Sequence, residues 1–352
     1  MRKVVVITTG GTIASTTDGR GVKSAAIPGS ALVTGIATPD GVGVNVVQVL
    51  STNSYSMTLA DMDAVHDAVR EALGELDTCG VVVTHGTDTL EETAMLVDIF
   101  HDDPRPVVFT GAQRSADDPN TDGPENLTDA IAVAASSNAR GCGVLVCFGG
   151  VLHAARGTRK IHNSALSAFF DVDHGPFGIV IDRCVRVHSK VSPPADGPRR
   201  AVAIGATRID TIAIYPGVDR VALDANIQAG ARGIVLQATG YGNANPDIVA
   251  AVAEHVRNGI PVVVSSRVAG GPIRGVYGGG GGGADLMSAG AIPTGHLRPS
   301  QARILLAALV ASGADIEEIR IAMSAEPTRY VDTPDEVRNS FISSTAAYSH
   351  PK

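Results

Sequence analysis

Residues 81–94 read VVVTHGTDTLEETA, a passage that changes within a few positions from a buried strand to a helix. Val81, Val82 and Val83 form a β-branched run bounded by Gly80, the pattern of a strand covered on both faces. Thr84 to Asp88 make the turn. Asp88, with Glu91 three residues on, predicts a helix start of the capping-box type, and Leu90, Ala94 and Val97 give that helix an apolar face. Thr87 and Asp88 therefore fall at the carboxyl end of a strand. In an open α/β sheet that edge binds ligands, and a helix N-terminus there favours anionic groups. Taken alone, the passage is equally satisfied by Asp88 as a simple cap and Thr87 as turn filler.

A second passage has the same design. Val4 to Ile7 is another buried-strand run, followed by TTGGTIAS, residues 8–15. Gly10 and Gly11 permit positive φ or close approach of backbone to a ligand. The loop is not a nucleotide-phosphate motif, because it has no GxGxxG and no GKS or GKT.

Strand runs at 44–50, 106–110 and 143–148 alternate with helical patterns marked by Met62, Val65, Val69, Leu73 and Leu76, and by Pro124 to Ala135. Alternation of this kind predicts a parallel sheet with right-handed crossovers. Ser15 to Ser30 has no clear period and reads as an exposed, mobile loop. The proline-rich run SPPADGPRR, residues 192–200, suits a domain linker. A second α/β series follows, with strands at 211–215, 233–238 and 261–265 and helices at 246–257 and 299–311. The expected architecture is α/β with two domains: a larger N-terminal one, residues 1–190, with a mostly parallel sheet flanked by helices, and a smaller C-terminal one, residues 209–324. A linker at 191–208 joins them, and an extension at 325–352 has no assigned structure.

The bulk composition agrees. A chain of 352 residues fits two cores better than one. With 44% hydrophobic and 18% charged residues it reads as folded, and a net charge of −8 argues against nucleic-acid binding. Strand-like sequence begins almost at Met1, and no apolar run approaches membrane-spanning length, so a cytoplasmic protein is expected. Cys79, Cys142, Cys147 and Cys184 lack metal-type spacing, lie in or beside apolar runs, and are expected to be buried thiols. No His, Asp, Glu or Cys cluster has ligand spacing, so neither metal nor organic cofactor is expected.

Together, TTGGTIAS and VTHGTDTLEETA resemble the paired signature loops of the bacterial-type L-asparaginase family, also called asparaginase/glutaminase. Matching segments follow in order: Asn53-Ser-Tyr-Ser-Met57, Thr110-Gly-Ala-Gln113 leading to Asp122-Gly-Pro-Glu-Asn-Leu127, and Arg156-Gly-Thr-Arg-Lys160. The resemblance spans residues 4 to about 323.

It implies hydrolysis of L-asparagine to L-aspartate and ammonia, with variable activity on L-glutamine. Thr12 aligns with the attacking threonine, and Thr87, Asp88 and Lys160 with the second catalytic group. A threonine hydroxyl needs such a neighbour to take its proton. Amides of Gly11 and of Thr87 to Asp88 are the nearest oxyanion donors in the pattern. Ser54 aligns with the holder of the substrate α-carboxylate and Asp88 with that of the α-ammonium, while Tyr55 stands where many relatives have glutamine. His85 receives no catalytic role. Relatives build each site from two subunits, which implies a homodimer or homotetramer, with Asn243 and Asn245 near the neighbour's pocket and Asn245 at a position linked to glutamine acceptance.

The main departure concerns a loop tyrosine. Relatives carry one in the loop corresponding to Ser15 to Ser30, where it closes over the substrate, and here no tyrosine precedes Tyr55. Tyr277, before the glycine run 278–283, is the residue expected to replace it, with Asp285 in place of the neighbour's glutamate. Two other functions compete: an asparaginase-like subunit of a tRNA-dependent amidotransferase, whose relatives normally carry an added N-terminal domain, and a non-catalytic amino-acid-binding protein.

Overall fold

The computed structural model describes residues 2–192, 201–325 and 328–330. Strand β1 (Lys3–Gly10) is buried along almost its whole length. It is followed by a short antiparallel hairpin, β2 (Ser15–Thr17) and β3 (Lys23–Ala25), and a one-turn helix, α1 (Gly29–Leu32). The hairpin corrects the expectation of an irregular loop at 15–30. Its strands are only three residues long and mostly exposed, so no alternation marks them, and the tip is closed by the Asp18 carboxylate accepting the Arg20 and Val22 N–H groups.

The expected alternation follows: β4 (Gly43–Thr52), α2 (Leu59–Gly74), β5 (Thr78–Thr84), α3 (Leu90–Phe100), β6 (Val107–Thr110), α4 (Gly123–Ala135) and β7 (Val144–Phe148). A reciprocal capping box of Thr58 and Asp61 starts α2. Leu76, expected on its apolar face, lies beyond the helix end and is fully exposed. Strands β4, β1, β5, β6 and β7 pair in parallel in that order. Four shorter strands come next, β8 (Val151–Ala154), β9 (Arg159–Lys160), β10 (Phe169–Phe170) and β11 (Gly178–Ile181), and then β12 (Cys184–Val187). Strands β8, β11 and β12 extend the sheet antiparallel, giving the eight-stranded order β12-β11-β8-β7-β6-β5-β1-β4. Cys184, on the edge strand, is exposed, whereas Cys79, Cys142 and Cys147 are buried.

After β13 (Lys190–Ser192), the smaller domain contains β14 (Ile209–Ala213), α5 (Val221–Gln228), β15 (Gly233–Ala238), α6 (Pro246–Arg257), β16 (Val262–Ser266), α7 (Gly283–Ser288), β17 (Ile292–Pro293), α8 (Pro299–Ala311) and α9 (Ile316–Ser324). Its four strands form a parallel sheet in the order β14-β15-β16-β17. Neither α5 nor α9 is among the expected helices; α5 carries no strong sequence signal, whereas α9 opens with a capping box of Asp315 and Glu318. A last strand, β18 (Thr328–Tyr330), pairs antiparallel with β13, so three residues of the extension that had no assigned structure form a strand. Residues 193–200 of the expected linker, and 326–327 and 331–352 of the extension, lie outside the described residues.

Both faces of the large sheet are covered, which explains its uninterrupted apolar runs. Val4, Val6, Val82 and Val108 face Leu127 and Ile131 of α4, while Val5, Ile7, Val81 and Val83 face Val65, Val69, Leu90 and Ala94 of α2 and α3. Each such side chain contributes about 1.5–3 kcal/mol on full burial. The two domains also share a core: Met62, Met95 and Leu96 pack with Val235, Val263, Leu305 and Leu306.

Candidate active site

Three loops meet at the carboxyl ends of β1, β4 and β5. The Gly11 N–H donates to the Thr52 carbonyl at 2.9 Å, the Thr9 hydroxyl donates to the Thr84 carbonyl at 3.0 Å, and the Ser15 hydroxyl closes the first loop onto the Gly11 carbonyl at 2.8 Å. Glycine is dictated at the contact between loops. Gly11 has φ 78° and ψ −172°, and a Cβ there would sit 2.4 Å from the Gly86 Cα. A Cβ on Gly86 would sit 2.6 Å from the Ser54 Oγ. Thr12 and Thr87 each follow one of these abutting glycines. Thr12 is half-buried and opens a single 3-10 turn, and Thr87 is buried.

Lys160 reaches this junction from the hairpin of β9 and β10, where it pairs with Phe169. Its Nζ donates to the Thr87 Oγ1 at 2.8 Å and to the Asp88 Oδ1 at 2.7 Å. The lysine side chain is 15% exposed and that of Asp88 52%, so one side of the carboxylate faces outward. Ser54 is buried; its Oγ accepts the Asp88 N–H at 3.2 Å and its carbonyl accepts the Thr89 hydroxyl at 2.9 Å. A hydroxyl, an amine and a carboxylate thus lie in one hydrogen-bonded chain, with the Gly11–Thr12 turn packed against its backbone.

The expected capping box at Asp88 does not form. Thr89 is the N-cap of α3 and caps with no side-chain bond. Asp88 turns to Lys160 instead, and Glu91 accepts the Lys160 N–H at 2.7 Å, because an ammonium ion and a main-chain donor from β9 compete successfully for the two carboxylates. His85 is fully buried beside this turn, with Nδ1 2.7 Å from the Gly86 carbonyl. Burial pulls its pKa down to about 4, so the ring is neutral at pH 7, with Nδ1 the donor. The TGAQ and DGPEN segments form a brace nearby: the Asp122 carboxylate accepts the Gln113 and Arg114 N–H groups, and the Asn126 amide joins the Gly111 carbonyl to the Gly149 N–H.

The remaining candidates lie elsewhere. Tyr55 is 71% exposed and its Oη accepts a hydrogen bond from the Asn53 Nδ2. Asn245 is the N-cap of α6; its Oδ1 accepts the Ile248 N–H at 3.0 Å and its Nδ2 donates to the Val218 carbonyl at 2.6 Å. Asn243 accepts the Gly283 N–H. Tyr277 is 55% exposed, with its ring 6.5 Å from that of Tyr241. The Asp285 Oδ2 accepts the Gly280 and Gly282 N–H groups, at 2.8 and 2.9 Å, reaching back from the first turn of α7 to its N-cap, Gly282. The glycine run is therefore a hydrogen-bonded loop whose last residue, Gly283, opens a helix, although no regular element was expected there. The hydrogen bonds of Asn245 and Asp285 stay within the smaller domain and do not go to the Thr12 or Thr87 loops. Sequence reading missed Ser300 and Gln301 of α8, which hold Glu91 and the turn before Lys160. No local signal marks them, because their partners lie more than 140 positions away. Among the described residues, no group of three or more His, Cys, Asp or Glu is arranged to hold a metal ion, and no helix is long and apolar enough to cross a membrane.

Comparison with known proteins gives this arrangement its class, that of the amidohydrolase enzymes. The chain belongs to the asparaginase family: residues 3–193 match the family model "Asparaginase, N-terminal" and residues 208–323 the "Glutaminase/Asparaginase C-terminal domain". A "Probable L-asparaginase" of Deinococcus radiodurans is 38% identical over 90% of this chain and 96% of its own length. An "L-asparaginase" of Bacillus licheniformis is 32% identical over 88% and 96%. A glutamyl-tRNA(Gln) amidotransferase component of Halobacterium salinarum is also 32% identical, over 89% of this chain and 76% of that protein. Among solved structures, a probable cytoplasmic L-asparaginase from Campylobacter jejuni superposes with a TM-score of 0.81 at 28% identity, covering 93% of this chain and 100% of that one.

Proposed function

We propose that the chain hydrolyses the side-chain amide of L-asparagine, giving L-aspartate and ammonia. The observation that carries this reading is the Lys160 Nζ held at 2.8 Å from the Thr87 Oγ1 and 2.7 Å from the Asp88 Oδ1, on a turn packed against Gly11 and Thr12. The Thr12 hydroxyl attacks the amide carbon as its proton passes through the Thr87–Lys160 pair to the amide nitrogen; the C–N bond breaks, ammonia leaves, and Thr12 carries the aspartyl ester. Water then attacks the Thr12 ester, with the Thr87–Lys160 pair relaying its proton, and aspartate is released. Of the main-chain donors expected at the oxyanion, the Gly11 N–H is engaged by the Thr52 carbonyl and the Asp88 N–H by the Ser54 Oγ, so in this reading the Thr87 N–H holds the oxyanion.

The free amino acid carries both charges, and both have a partner in this reading. The Ser54 hydroxyl donates to the α-carboxylate, and the outward side of the Asp88 carboxylate receives the α-ammonium. Tyr55 lines the ammonium side. Because Tyr277, Asn245 and Asp285 are held in the smaller domain, they enter the mechanism from a second copy of the chain, in a homodimer or homotetramer. This reading includes a cytoplasmic location, side activity on L-glutamine, and no metal or organic cofactor.

The deciding experiment is ammonia release by the purified chain from L-asparagine and L-glutamine, with and without a chelator. Release from asparagine that the chelator leaves untouched supports the proposal. Tight binding without release points to an amino-acid-binding protein. The similarity to an amidotransferase component keeps one second reading open, in which ammonia is delivered to a tRNA-bound partner; efficient turnover of asparagine by the chain alone rejects it.

A further inference from the structure

Lys160 is positioned by a buried set of hydrogen bonds that originates in the smaller domain of the same chain. Gln301, on the first turn of α8, is completely buried. Its Oε1 accepts the Gly157 N–H at 2.8 Å, and its Nε2 donates to the carbonyls of Ala155 at 2.8 Å, Thr158 at 3.1 Å and Glu91 at 3.2 Å. An amide is specified here by its two ends. A carboxylate would face three carbonyl oxygens, and an apolar side chain would leave buried polar groups without partners, at about 1–3 kcal/mol each. The neighbouring Ser300 donates its hydroxyl to the Glu91 Oε1 at 2.6 Å, while the Glu91 Oε2 accepts the Lys160 N–H at 2.7 Å. Burial pushes the Glu91 carboxyl above its usual range, and the Ser300 and Lys160 donors partly offset that push.

The turn these residues hold has no slack of its own. Gly157 has φ 93°, and a Cβ on it would lie 2.8 Å from the Asp171 Oδ2. The Thr158 hydroxyl is bound back to the Ala154 carbonyl at 2.6 Å. Beyond the turn, only Arg159 separates Thr158 from Lys160. An ion pair, Arg303 to Glu92 at 2.8 Å, also ties α8 to the start of α3.

We propose that Gln301 and Ser300 are positioning residues of the active site: through the 155–158 turn and Glu91 they set where the Lys160 amine lies relative to Thr87. This rests on the proposed catalytic reading of Lys160. The smaller domain of a chain then serves its own chain's lysine, in addition to whatever a second copy contributes. Its docking on α3 becomes a condition for turnover and not only for stability.

The test is steady-state kinetics on L-asparagine for Gln301→Leu and Ser300→Ala, well below each variant's melting temperature, together with a double-mutant cycle against Lys160→Ala. Displacing a catalytic group by a fraction of an ångström to 1 Å costs up to roughly a hundredfold in rate. Gln301→Leu is therefore expected to lower kcat by roughly ten- to a hundredfold, and Ser300→Ala by several-fold, with kcat falling much more than KM rises, because Ser54 lies on another loop and only Asp88 shares a contact with Lys160. In the Lys160→Ala background neither change should lower the residual rate further, since residues acting through one group are not additive. If Gln301→Leu does not fold, Ser300→Ala carries the same cycle. An undiminished kcat in the folded variants overturns the proposal, and so does an equal loss with and without Lys160. Full turnover in Lys160→Ala alone fails the catalytic reading itself, an outcome distinct from the other two.

Discussion

Replacing Gly11 with alanine tests how closely the first loop must approach the second. At φ 78° and ψ −172° the residue occupies a backbone region used almost solely by glycine, so a side chain there costs about 1–3 kcal/mol in strain. The new Cβ would lie 2.4 Å from the Gly86 Cα and 2.5 Å from the Gly86 nitrogen, both rigid main-chain atoms, where ordinary contact begins near 3.4 Å. Relief requires the Thr12 and Thr87 turns to separate by about 1 Å, and a misplacement of that size costs roughly a hundredfold in rate. The measurement is kcat for ammonia release from L-asparagine, well below the melting temperature, alongside a thermal melt. Gly11→Ala should melt several degrees lower and turn over roughly a hundredfold more slowly. Gly86→Ala, whose Cβ would strike Ser54, should raise KM as well. A Gly11→Ala enzyme with kcat within about threefold of the parent and an unchanged melt would refute the claim that this contact sets the site.

Other outcomes follow from the buried titratable groups and from Tyr277. The His85 pKa is depressed from 6.5 to about 4 by burial, so its contribution is intact above pH 6.5 and lost as pH falls through about 4, amounting to about 3 kcal/mol. Burial lowers the pKa values of His66 and His101 in the same direction, so urea unfolding at pH 7 and pH 4.5 should show a marked loss on the acid side. Asp98 is the opposite case: burial, opposed by Arg156 and the Val144 N–H, raises its carboxyl from 3.8 to about 6, so stability present below pH 3.8 is lost as pH rises through 6. Asp98→Asn should therefore stabilise the protein at pH 7, by at most about 3 kcal/mol, and have little effect at pH 4; equal effects at both values would contradict this. Tyr277→Phe should lower kcat with little change in melting temperature, whereas parental kinetics would remove this hydroxyl from the mechanism.

What could be read from the sequence was what local chemistry determines. The strands at 81–83 and 234–236 are continuous β-branched or apolar runs because both faces are covered, and α6 and α8 announce themselves with proline in the first turn. The Asn245-Pro246 pair is an N-cap signal that the structure uses as a cap, whatever further role a second copy of the chain requires. Asp88 was misread for a tertiary reason: its local partner was Glu91, but its structural partner is 72 residues away in Lys160. Nothing near Gln301 in sequence indicates that its amide will close a turn 144 residues earlier. The hairpin at 15–25 escaped because strands of three residues are too short to show a period.

The central claim is that a threonine on the first loop carries the acyl group. It is tested most directly by quenching the enzyme in acid during turnover of L-asparagine and locating the covalent adduct by peptide mass mapping, with Thr12→Ala in parallel. An aspartyl ester is expected on the peptide containing Thr12, absent from Thr12→Ala together with turnover. An adduct on the Thr87 peptide, or sustained turnover by Thr12→Ala, would contradict it.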